Sequence, residues 1–272
     1  MSLAPFPGFV RLAPTATKVP SDGADRVIVC GSHGGAYAGY LVAKSRAKAM
    51  ILNDAAGGLD DAGFGSLELA QSMDMAAATV SHASARIGDA EDMWIRGVIS
   101  KANHCATHVG VEVGMACKDA VRCLIEAPSP TAAAPVYEEA RVDIKTTSAG
   151  LNVACVDSVS LVHDGDAGHI VVSGSHGGLV AGQHGLAIRV PAAFALYNDA
   201  GVGIDNAGIS RLDKLDSMKV AAATVDAFSA RIGDAMSIWE RGVISYVNVL
   251  AKGYGIAPGM SVQEACELVV PK

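Results

Sequence analysis

The chain has 272 residues, half of them apolar, with a formal charge of −7 and a pI near 5.6. That length can bury a large core in one body or two, and an acidic balance without any run of Lys or Arg argues against nucleic acid or an anionic membrane, partners that need a basic face. The longest apolar stretches are broken by Arg46 and Lys48 or by Arg189 and Pro191 before they reach the roughly 18 residues of a membrane span.

From the N-terminus, MSLAPFPGFVRLAP lacks a basic segment followed by an apolar block, so a cytoplasmic protein is expected. VIVC before GSHGG at 27–35 reads as a buried strand entering a tight turn, and AYAGYLVAKSR has helical spacing. AMILND predicts a second strand, followed by a loop rich in Gly and acid, AAGGLDDAG, then a Leu-spaced helix in SLELAQS. MAAATV predicts a third strand, SHASARIGDA a third loop, and 90–108 one long helix with Arg96, Ser100 and Asn103 on a single face. The segment 126–150 reads as a linker with an extended arm through ARVDIKTT. Further on, Asp164-Gly165 suggests a hairpin turn, so that each unit would begin with a strand pair.

The order then repeats. IVVSGSHGG at 170–178 returns the first motif, and an offset of 145 maps Asn53–Leu124 onto Asn198–Val269 without a gap, with 34 of 72 paired residues identical. Shared composition does not produce such a match, and it implies a tandem duplication of a unit of roughly 120 residues. Ser261 with Glu264 three residues on marks a capped start for a short last helix. The predicted fold class is α/β: two tandem homologous Rossmann-like units with mostly parallel sheets, related by a pseudo-two-fold and packed through helix faces. The expected domains are 1–125 and 151–272, joined by the linker 126–150. The six cysteines mostly stand opposite aliphatic residues of the other copy, which argues for thiols rather than a disulfide framework.

Three loops after strand ends hold most of the chemistry-bearing residues present in both copies, the edge where open α/β sheets bind ligands. The first pairs Ser32-His33-Gly34-Gly35 with Ser175-His176-Gly177-Gly178; Gly31, Gly34 and Gly35 permit positive φ and let a ligand approach the backbone. His33 and His176 are the only histidines in register, and a neutral imidazole carries protons near pH 7; the rival reading is a turn histidine bonded locally. Asp54 and Asp199 either orient these histidines or close Asx turns, while Asp60 and Asp205 read as caps. Arg86 and Arg231 either clamp an anionic ligand group or pair with Asp89 and Asp234 three residues on. GSHGG matches neither the dinucleotide nor the phosphate-loop glycine pattern, so no cofactor is expected, and no His/Cys spacing suggests a metal site.

A strand ending in Ser-His-Gly, a second ending in a small acidic turn, and then VAAATV resemble the layout of caspase-like peptidases, in which the first strand presents a catalytic His-Gly and the second a catalytic Cys. Here the second turn reads NDAAGG or NDAGVG, without a cysteine, and Cys30 precedes the histidine.

The functional expectation is a cofactor-independent enzyme on a small, polar, anionic substrate, by hydrolysis or by proton-transfer lyase or isomerase chemistry. His33 and His176 would be acid/base groups, oriented by Asp54 and Asp199. Ser32, Gly34, Gly35, Arg86 and Asp89, with Ser175, Gly177, Gly178, Arg231 and Asp234, would bind substrate. The alternatives are a non-catalytic small-ligand-binding or assembly protein, and a metal-dependent hydrolase or diverged caspase-like fold. The expected partner is a small molecule, with homo-oligomerisation left open.

Overall fold

A computed structural model describes residues 8–19, 23–144, 146–182 and 187–271. It contains two mostly parallel sheets with helices on their faces. The first comprises β1 (Val10–Ala13), β2 (Val27–His33), β3 (Ala49–Asn53), β4 (Ala76–Val80) and β5 (Ile99–Ala102), side by side in chain order. β1 to β4 are parallel, and β5 turns back antiparallel. The second sheet places β6 (Arg141–Ile144), β7 (Val153–Val156), β8 (Ile170–His176), β9 (Phe194–Asn198), β10 (Ala221–Val225) and β11 (Ile244–Val247) in chain order too. β6 lies in the 126–150 segment and pairs antiparallel with β7, adding an edge strand that has no counterpart beside β1 among the described residues.

The strands form where the sequence is apolar without alternation, because both sheet faces are covered. In the first half, Ile28, Met50, Leu52 and Ala77 pack against α1 (Ala36–Lys44) and α2 (Gly65–Gln71). Val27, Val29, Ile51 and Ala78 face α3 (Ala90–Arg96), α4 (His104–His108) and α5 (Cys117–Ile125) on the other side. The second half repeats the latter layer with α7 (Ala235–Arg241), α8 (Val249–Gly253) and α9 (Val262–Glu267). α6 (Arg211–Ser217) matches α2, but among the described residues no helix stands between β8 and β9 where α1 would.

Three expectations are corrected. The long helix over 90–108 does not form: α3 ends at Arg96, Gly97 leaves helical geometry, and the β-branched run Val98-Ile99 enters β5. Arg96, Ser100 and Asn103 therefore lie on a helix end, a strand and the cap of α4, and their partners Arg241, Ser245 and Asn248 do likewise. Asp164-Gly165 is a 3-10 turn rather than a hairpin, and β7 pairs with β8 in parallel. The expected cap of α9 is present, with Ser261 Oγ accepting from Glu264 N at 3.2 Å.

The third correction concerns how the halves meet. They join through the loops after their strand ends instead of through helix faces. Leu59 N donates to Ala227 O at 2.8 Å, and Ile204 N to His82 O at 2.9 Å, the same contact with the halves exchanged. Ala55, Ile87, Ala200, Ala207 and Ile232 form a small apolar cluster between them. Much of the edge that open sheets offer to ligands is thereby covered. Within each sheet the strand order also never reverses, so neither has the switch-point crevice on which the ligand argument rested.

Candidate functional site

Among the openings left at this junction is a cavity of about 360 Å³ bounded by both halves, the volume of a small-metabolite site. His33 and His176 line it, each the last residue of its strand, with ring centroids 6.5 Å apart and planes at 79°. GSH and its repeat are thus strand rather than turn, and after a register irregularity each histidine returns to the ladder, His33 opposite Asn53 and His176 opposite Asn198.

The local backbone determines the tautomer of both rings. Gly35 N donates to His33 Nδ1 at 3.1 Å, and Gly178 N donates to His176 Nδ1 at 3.2 Å. An amide only donates, so Nδ1 is the acceptor and the neutral ring carries its proton on Nε2. Neither Nε2 has a protein partner among the described residues. Burial pushes His33 down to about 4. His176 lies well below its ordinary value, first through burial, then through the nearby Arg211 charge and His33. Both histidines are accordingly neutral Nε2–H donors at pH 7, and with Nδ1 occupied the base half of the expected acid/base role has no free nitrogen.

The flanking glycines are needed for close packing rather than positive φ, which none of Gly31, Gly34, Gly35, Gly177 and Gly178 adopts. A Cβ on Gly34 would overlap the Gly63 carbonyl oxygen, and one on Gly177 would lie 2.5 Å from Gly208 O. The Gly35 amide, expected to meet a ligand at the start of α1, is occupied by His33 instead. Ser32 Oγ accepts from Ala16 N at 2.9 Å and Ser175 Oγ from Val159 N at 3.0 Å, so both hydroxyls hold the preceding segment while lining the cavity.

The carboxylates expected to orient the histidines do not reach them. Asp54 Oδ1 accepts from Ala56 N, His82 N and His82 Nδ1, the last at 2.9 Å. Asp199 Oδ1 accepts from Gly201 N and Ala227 N. Both close Asx turns and tie two strand-end loops together. Burial opposes ionisation of both; His82 nevertheless brings Asp54 below the ordinary carboxylate value, whereas Asp199, facing Ala227, stays above it. Asp89 and Asp234 cap α3 and α7. Arg86 is held by Asp89 at 3.0 Å and Asp92 at 3.2 Å, and Arg231 by Asp60 of the other half at 2.7 Å. Asp205 likewise crosses over to Arg96 and Arg86. The two arginines expected to clamp substrate are thus in ion pairs, and Asp60 and Asp205 join the halves rather than cap helices.

Two residues overlooked in the sequence take their place around the cavity. Glu139, half-buried beside Tyr37 and Ser158, comes from the arm that has no counterpart in the first half; burial raises its carboxyl above the ordinary value, against those two hydrogen bonds. Arg211 lies opposite Ser66 in the repeat alignment, so comparison of the copies hid it. It is only 5% exposed and stacks on the Tyr197 ring with Cζ 4.6 Å from the centroid. Its one sequence signal is a charge in an otherwise apolar helix face.

All six cysteines are free, and burial pushes the Cys30 thiol up to about 11, so it offers no thiolate for the missing caspase-like nucleophile. Among the described residues no three His, Cys, Asp or Glu side chains are grouped as metal ligands, and no helix is long and apolar enough to cross a membrane. The chain matches no protein-family model, no curated protein and no solved structure.

Proposed function

We propose that the chain is a duplicated pair of α/β units related by a pseudo-two-fold, their sheets in chain order rather than the reversed order of a Rossmann sheet, and that the cavity between them is the active site of a cofactor-independent enzyme. Its substrate is a small anion and its chemistry is proton transfer, of the lyase or isomerase type. The observation that carries this reading is the pair of imidazoles on one cavity, each with Nδ1 occupied by a glycine amide and Nε2–H left for a ligand. Fixed neutral donors of this kind stabilise an oxygen that gains negative charge, because they are already oriented and carry no competing hydration. Glu139 is the group suited to remove the proton, since a carboxylate with a raised pKa is a stronger base than an ordinary one. Hydrolysis through a serine fits less well, as Ser32 and Ser175 have no adjacent base and already accept backbone amides.

The test is hydrogen–deuterium exchange at carbon next to the carbonyl of pyruvate and other small oxo acids, followed by proton NMR in D2O. The wild type should exceed the spontaneous rate, and Glu139→Gln should lower it by roughly 10²–10⁴-fold. Oxo acids that bind in the cavity without any exchange would refute catalysis. They would support the second reading, ligand binding without turnover, whose own observation is that Ser32, Ser175, Asp54 and Asp199 all serve the backbone.

A further inference from the structure

We infer that Arg211 anchors a carboxylate group, and that the chain therefore holds one oriented substrate rather than two equivalent ones. The inference rests on the cavity being the functional site and specifies its ligand.

The guanidinium is buried and has no acidic partner among the described residues. Arg211 Nη1 donates to Ala187 O, Nη2 donates to Gly178 O at 2.9 Å, and Nε has no partner. Its partners are neutral, two backbone carbonyls and the Tyr197 side chain, and none of them compensates the charge. A buried cation with a vacant donor is costly unless something anionic completes it. Residues 183–186, Gln-His-Gly-Leu, include no acid. Arg211 and His176 line the same cavity.

The first half cannot offer the same site. There α1 and α2 touch through Gly39 and Ser66, where even a Cβ on Gly39 would come within 2.6 Å of Ser66 Cβ. An arginine has no space at that position. In the second half, the loop through Ala187 and Ile188 leaves room for the guanidinium beneath it. The cavity lining thus differs between the halves: Arg211 from the second half and Glu139, beside Tyr37, from the arm both line it, and neither has a twin in the other copy.

One buried cation matches a monoanion. A phosphate dianion would ask for a second charge, but Lys18 is exposed and Arg189 is 64% exposed and turned to Asp164 at 3.6 Å. A carboxylate fits the planar Nε/Nη edge.

The test titrates pyruvate, acetate and inorganic phosphate into the wild type, Arg211→Gln and Arg211→Lys. Binding is read by thermal shift, and the Arg211 Nε signal is followed in wild-type protein by nitrogen-15 NMR. Pyruvate should move that signal and saturate, with affinity roughly 10–100-fold weaker in Arg211→Gln and only partly restored by Lys. The NMR arm answers the question even if Arg211→Gln does not fold. Equal pyruvate affinity in both proteins, a wild-type Nε signal unmoved by pyruvate and acetate, or a response to phosphate alone overturns the inference. Binding that depends on Arg211 but is unchanged in a His33→Asn, His176→Asn double variant would leave the anchor standing and remove the histidine-centred reading.

Discussion

Replacing His33 by Asn tests the neutral-imidazole assignment without depending on a substrate. Asn offers Gly35 N an oxygen in place of Nδ1 but has nothing to titrate. The wild-type ring falls from an ordinary value near 6.5 in the unfolded chain to about 4 in the folded protein. Between those values the unfolded state binds the proton and the folded state does not, so stability falls as pH is lowered through the window. At about 1.4 kcal/mol per pH unit, the full shift corresponds to at most about 3.5 kcal/mol below pH 4, and to about 2 kcal/mol on going from pH 7.5 to 5. Urea unfolding at half-unit pH steps, taken as wild type minus His33→Asn, cancels most of the carboxylate contribution. The difference should grow against the wild type as pH drops from 7 to 5. A flat difference would mean that His33 titrates as it does in water and that its burial does not govern its charge.

Further outcomes follow from the same contacts. Gly34→Ala, whose Cβ would strike the Gly63 carbonyl, should destabilise by about 3 kcal/mol or more in chemical denaturation, whereas Gly253→Ala, with open space around it, should be near neutral. Asp60→Asn breaks a half-exposed ion pair between the halves; its cost should stay below about 1 kcal/mol and shrink in 0.5 M salt, and a larger, salt-independent loss would contradict the surface assignment. In the native state a thiol reagent should label Cys105 and Cys123 before the four buried cysteines, as peptide mapping would show. If Glu139 is the base, turnover should be lost as pH falls, with a midpoint above the ordinary carboxylate value because burial raises that group; a midpoint that stays put in Glu139→Asp and Glu139→Gln would point to another base.

Periodicity, apolar runs and the internal match determined the α/β class, the strands at 49–53 and 76–80, the first two helices and the capped last one, because each is a local preference reinforced by burial of one kind of face. The same information located His33 and His176. It failed over 90–108, where helical spacing of polar residues concealed the break at Gly97 that sends Ile99–Ala102 into the sheet. For Asp54, Asp199, Arg86 and Arg231 it left a ligand role and a structural one both open, and the structure shows the structural one: turn acceptors and ion pairs that hold the two strand edges together. Only the tertiary structure could show that those edges close on each other around a cavity lined by both histidines, since the contacts join residues about 120 to 170 positions apart. Only it could single out Arg211 and Glu139, which have no twin in the other copy, because an unpaired charge becomes visible only when the chain around it has been folded and its partners counted.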